Sequence, residues 1–130
     1  MSHSIKNLRD VHDVAPDAGF GESQEARFAR GDLDAETTGL AYHVLKPGKR
    51  QAFAHRHDAA EEIYVILSGA GRLKLDDEIV EVGVMDAVRV APTVARAFEA
   101  GADGPLEILV FGPHHDKDGE IIKDDAFWGE

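Results

Sequence analysis

The sequence predicts an all-β domain of short, mostly antiparallel strands folded into a sandwich or closed barrel. Three observations lead there. Between Gln24 and Phe111, short apolar or alternating runs follow one another closely. Clusters of Gly, Pro and Asp separate them. No stretch in that span keeps a helical period long enough to cross a sheet. A chain of 130 residues suits one domain with one real core. Its texture divides it into an arm over residues 1–23, a barrel over 24–112 and a tail over 113–130 that packs back on the barrel.

The elements follow in order. The arm is polar, with turn formers at Ala15-Pro16-Asp17 and Gly19-Phe20-Gly21 and no sustained period. Ala26 to Arg30 reads as a short strand, and Leu40 to Leu45 as a better one stopped by Pro47-Gly48. Phe53 to His57 and Glu62 to Leu67 are the next two, with Ser68-Gly69-Ala70-Gly71 read as a loop. Arg72 to Leu75 and Ile79 to Val82 alternate in polarity around Asp76-Asp77-Glu78, the pattern of a hairpin. Ala87 to Val90, Arg96 to Glu99 and Leu106 to Phe111 complete the barrel, and the tail returns through Ile121, Ile122 and Trp128.

Composition removes several classes of function. A net charge of −11 with no basic cluster opposes binding to nucleic acid or to an anionic membrane. Without cysteine there is no disulfide, thiolate metal site or cysteine nucleophile, so a bound transition metal must use His, carboxylate and water. The first residues lack the apolar segment of a secretory signal and no run elsewhere is long enough to span a bilayer, so a cytoplasmic protein is the expectation.

The chemistry-bearing pattern is His55 and His57 followed by Glu62. Two histidines two apart in a strand leave the same face and can converge on one ion. Alone the pair says little in a chain with 7 histidines. Glu62 opens the next strand after a short connection, and an antiparallel neighbour there brings its carboxylate beside the two imidazoles, making a facial triad. By period-two counting Tyr64 and Phe98 share faces with Glu62 and Arg96 and are candidate pocket walls. His43 and Tyr42 point to opposite faces of their strand, and the sequence does not say which is inward.

The segment from Gly48 to Gly69, with both glycines, His55, His57, Glu62 and the run Tyr64-Val65-Ile66-Leu67-Ser68, resembles the first motif of the cupin superfamily. With its flanking strands the resemblance covers about Leu40 to Phe111. It implies a double-stranded β-helix, or jelly-roll barrel, and makes His55, His57 and Glu62 the ligands of a divalent iron, manganese, nickel or zinc ion. The second motif, over Gly83 to Ala100, departs from the family. Asp86 and Pro92 are in place, but Met85 and Thr93 stand where glycines are usual, Ala100 replaces an asparagine, and Arg96 stands where a fourth ligand, a histidine, is expected.

Arginine stays protonated and offers only donors, so Arg96 cannot be a ligand. Two readings follow. In one, three ligands hold the metal while Arg96 at the rim clamps an anionic or polyol-like substrate, in dioxygenase-like or in isomerase- or lyase-like chemistry. In the other, Arg96 pairs with Glu62 inside a metal-free barrel that binds a small ligand. Both make the partner a small molecule, and the resemblance implies a homodimer, with the arm able to cover a sheet edge of the second subunit.

Overall fold

The computed structural model describes residues 2–123 and 126–130. Ten strands carry the fold: β1 (Gln24–Phe28), β2 (Thr38–Leu45), β3 (Ala54–His57), β4 (Glu62–Ser68), β5 (Ala70–Leu75), β6 (Glu78–Gly83), β7 (Ala87–Val90), β8 (Arg96–Ala100), β9 (Leu106–Pro113) and β10 (Gly119–Ile122). Among the described residues the helical content is one 3-10 turn, Leu8–Asp10, and no helix is long and apolar enough to cross a membrane. The strands form two five-stranded sheets, ordered β1-β2-β9-β4-β7 and β10-β3-β8-β5-β6, and every pairing is antiparallel. This is the jelly-roll barrel.

Alternation along the strands decides what lies between the sheets. In β4, Tyr64 and Ile66 are buried; in β9, Leu106, Ile108 and Val110; in β5 and β8, Leu73 and Phe98. These residues form one apolar cluster. A one-residue slip in any of the strands would turn this set to solvent, so burial fixes the register.

The link between β4 and β5 is tighter than a four-residue loop. Only Gly69 separates the two strands, at φ +84°, and a Cβ there would lie 2.1 Å from the Pro105 carbonyl oxygen. Glycine supplies a backbone conformation and a close approach that no other residue permits, and the flanking residues join the ladders. The hairpin is as expected, with Leu75 opposite Glu78 and Asp76 at φ 51° in the turn.

The chain ends are more structured than their composition suggests. Asp13 bridges Arg27 on β1, and its carboxylate accepts from the Ala15 and Ala26 amides. Val11 and Ala15 are buried beneath. The arm therefore meets the β1 edge of its own chain at the Asp13 bridge. The tail supplies β10, a strand absent from the sequence reading, paired to β3 with Ile121 opposite His55 and Gly119 opposite His57.

Beyond β10, Trp128 is buried against Ala54 and Ala97. The Arg50 and Arg72 guanidinium carbons lie 4.6 and 5.4 Å from the centre of its ring. Both arginines reach Glu99, at 2.6 and 2.7 Å, and both reach Glu130. Trp128→Ala is expected to cost about 3 kcal/mol, measured by urea unfolding, since it removes a buried aromatic side chain. For Glu99, burial alone would raise the carboxyl, but hydrogen bonds from Arg50 and Arg72 outweigh it and hold the group below the usual carboxylate range. For Glu130 the Arg72 hydrogen bond leads in the same direction. Carboxyls depressed on folding contribute stability that is complete above the unfolded value, about 4.3 for glutamate, and lost as the pH falls through the folded one. Arg72→Gln should therefore lower the thermal midpoint more at pH 7 than in strong acid, where the gap to the wild type closes.

Candidate metal centre

The two histidines of β3 and the glutamate of β4 come from facing sheets. The four residues 58–61 carry the chain from one sheet to the other, so Glu62 meets His55 and His57 across the barrel instead of arriving on a paired neighbour. His55 Nε2 and His57 Nε2 lie 3.4 and 3.2 Å from Glu62 Oε1. One potential ligand atom from each of the three residues falls within 4.8 Å of the others. The imidazoles stand edge to face with centroids 5.2 Å apart, so two lone pairs can aim at one point.

Tyr64 fixes the carboxylate by donating its hydroxyl to Oε1 at 2.7 Å. Burial would by itself raise the Glu62 carboxyl, but hydrogen bonds with His55, His57 and Tyr64 outweigh it and hold the group well below the usual range. The same carboxylate raises His57, against burial, while burial pushes the Tyr64 phenol well up. The site thus presents an anion and two imidazoles.

His57 tests whether these residues fit a cation. Both of its ring nitrogens are shielded from solvent without a hydrogen bond of regular geometry, although Glu62 lies near Nε2 and Asp118 Oδ2 lies 3.3 Å from Nδ1. A nitrogen turned toward a carboxylate without good alignment is what an ion between the two would complete, and a carboxylate behind the other nitrogen is the usual support of a metal-bound histidine. The residues fit a divalent ion.

Asp118 escaped the sequence reading. It precedes β10 and accepts from the Ala59 and Ala60 amides at 2.7 and 2.9 Å, which pins the crossing between His57 and Glu62. The only local signal was an Asp-Gly turn, which says nothing about a partner sixty residues back.

A cavity of about 640 Å³ opens on the triad. Phe20, Phe28, Phe53 and Val110 give it apolar walls, and His114, His115 and Asp118 of the tail also line it. The structure resolves the choice on β2. His43 lines the cavity, edge-on to Phe28, with Nδ1 3.4 Å from the Gln24 amide nitrogen. Tyr42 reaches Glu107 on the other face. Burial, with some repulsion from His55, lowers His43 to about 4, so it is neutral at neutral pH.

A family model described as the cupin domain matches residues 41–112, more than half of the chain. The chain belongs to the cupin family. This cupin is 34% identical over 86 residues to an uncharacterized protein of Methanocaldococcus jannaschii, a match covering 65% of this chain and 68% of the relative. Its fold is similar to that of a cupin protein from Bacteroides fragilis, with a TM-score of 0.72 at 24% identity over 90% of this chain and 88% of the other. It is also similar to the polyketide cyclase RemF from Streptomyces resistomycificus, at TM-score 0.75 and 17% identity over 96% and 89%.

Within this cupin, Arg96 does not stand where either sequence reading put it. The side chain is fully buried and absent from the cavity lining. Its guanidinium donates to the Ala91 and Pro92 carbonyls at 3.1 and 3.4 Å, while Glu62 is held by Tyr64 and the histidines. Neither the clamp at the rim nor the Arg96 to Glu62 pair is present. The two main-chain oxygens of the 91–92 segment accept from the terminal nitrogens of Arg96, while its Nε is buried without an acceptor. Of the two candidate walls, Tyr64 lines the cavity, whereas Phe98 lies behind it in the core, with ring centroids 5.1 Å apart.

Asp118→Ala should free the Ala59 and Ala60 amides. Hydrogen exchange is expected to accelerate at those two residues and the thermal midpoint to fall, while exchange in the β5–β6 hairpin stays as in the wild type.

Proposed function

We propose that this cupin binds a divalent transition metal, iron, manganese, nickel or zinc, through His55, His57 and Glu62 and acts on a small molecule taken into the adjoining cavity. The observation that supports it is the meeting of three ligand atoms within 4.8 Å at the wall of a cavity of about 640 Å³. A metal so held keeps open coordination positions and supplies either dioxygenase-like or Lewis-acid chemistry of the isomerase and lyase kind.

The chain's own residues do the rest. Tyr64 and Asp118 hold Glu62 and His57 in place, so the ligand set is organised before anything binds. The phenylalanines enclose the apolar part of a bound molecule and keep water from it. His43 stays neutral and lines the cavity, where its ring can meet a polar group of that molecule.

Elemental analysis of untagged protein purified without chelators tests the reading. Wild-type protein is expected to carry one of these metals at near-stoichiometric level, and Glu62→Gln, which keeps the shape and removes the anionic ligand, to carry about a tenth of that or less. Protein without metal, even after incubation with each ion, would sink the proposal.

A further inference from the structure

A cation faces the cavity away from the triad. Arg30 is the only arginine or lysine among the described residues that line it. Arg9, Arg27, Arg50, Arg56, Arg72 and Arg89 each sit on a carboxylate. Among the described residues Arg30 and Arg96 have no such partner, and of the two only Arg30 lines the cavity, Arg96 being buried in the barrel. Arg30 Nη2 donates to the Glu36 carbonyl at 3.3 Å, and its Nε is shielded from solvent and meets no acceptor in the protein. The carboxylates that share the lining are engaged elsewhere: Glu62 in the triad, Asp118 on two amides, Glu120 on Arg56. A guanidinium with an unmet donor beside an apolar wall is costly to keep unless something anionic comes to it.

Register places this cation opposite the triad. Phe28 pairs with Ala41, and the Ala29 amide donates to the Leu40 carbonyl, so the β1–β2 ladder continued by two residues sets Arg30 beside Gly39. Gly39 pairs with Gly112 on β9, and Phe111 pairs with Ile63 on β4, which sets Gly112 beside Glu62. Arg30, Gly39, Gly112 and Glu62 thus form one row across the sheet, and all four line the cavity. The row spans three strand spacings, about 14 Å between its end backbones. Its two middle positions carry no side chain, which leaves a trough from the carboxylate to the guanidinium. Gly112 is closed to anything larger, because a Cβ would come within 2.4 Å of the Glu61 carbonyl oxygen. Gly39 is not: a Cβ would meet only the Gly112 oxygen, at 3.5 Å. Arg30 and Gly39 both precede the residues that match the family model.

We propose that Arg30 is the anion-binding residue of the cavity and that its ligand is a small organic acid with an apolar body. The carboxylate sits on Arg30, the body lies along the glycine trough between the phenylalanines, and the far end reaches the triad. This assigns a substrate class to the site and rests on the metal reading only for what happens at that far end.

Calorimetric titration with 3-phenylpropionate and its primary amide tests it. Wild-type protein should bind the acid about tenfold or more tightly than the amide, as a charge-assisted pair requires. Arg30→Gln should weaken the acid to the level of the amide without altering metal content, and Gly39→Leu should exclude both probes by filling the trough. Arg30→Lys, with circular dichroism to confirm folding of each variant, should keep part of the preference. Equal binding of acid and amide, undiminished binding of the acid by Arg30→Gln, or no binding of either probe would overturn the proposal. A preference for the acid that depends on Arg30, in protein that takes up no metal even after incubation with each ion, would retire the metal reading and leave this one standing; metal without the preference would do the reverse.

Discussion

A half-buried carboxylate organises the open end of this barrel. Glu62 lies between two sheets with reduced access to water, and such a charge is stabilised when donors surround it. That requirement explains the inward turn of both β3 histidines and the Tyr64 hydroxyl. It also accounts for the stapling of the 58–61 crossing by Asp118, because the two histidines and the carboxylate stand on different sheets and the link between them must not drift. The apolar cluster beneath gives these groups a rigid floor.

The barrel and the meeting of His55, His57 and Glu62 were largely legible in the sequence because both rest on short-range patterns. Period-two alternation marks the strands, Gly and Pro mark the turns, and His55, His57 and Glu62 lie within eight residues of one another. What sequence reasoning missed depends on distance along the chain. β10 is four residues in an acidic tail and is a strand only because the outer edge of β3 offers it hydrogen bonds. Asp118 acquires its role from that same pairing. Arg96 shows the opposite error: its position in the motif was read correctly, but its reach carried the guanidinium to main-chain carbonyls that no sequence pattern reveals. Phe98 shared a face with the site by periodicity and yet stands one layer behind it, since periodicity gives a direction and not a depth.

Both ends of the chain are needed to turn an open jelly roll into a walled cavity. The arm seals the β1 edge through Asp13 and contributes Phe20 to the lining; the tail seals the β3 edge and contributes His114, His115 and Asp118. Trp128, packed against Arg50 and Arg72, which in turn reach Glu99 and Glu130, anchors the tail on Ala54 and Ala97, so the histidine strand is also held by contacts outside the cluster.

The glycine row has a bearing on how such a protein can change over generations. It separates two groups of residues that share no partner: the triad with Tyr64 and Asp118 at one end, Arg30 at the other. Substitutions at sites so far apart combine nearly additively. If the cavity binds as proposed, a lineage can retune what it accepts by altering residues around 30 and 39 while His55, His57 and Glu62 stay untouched, and the empty middle of the row lets ligands of different length be tried without a new backbone.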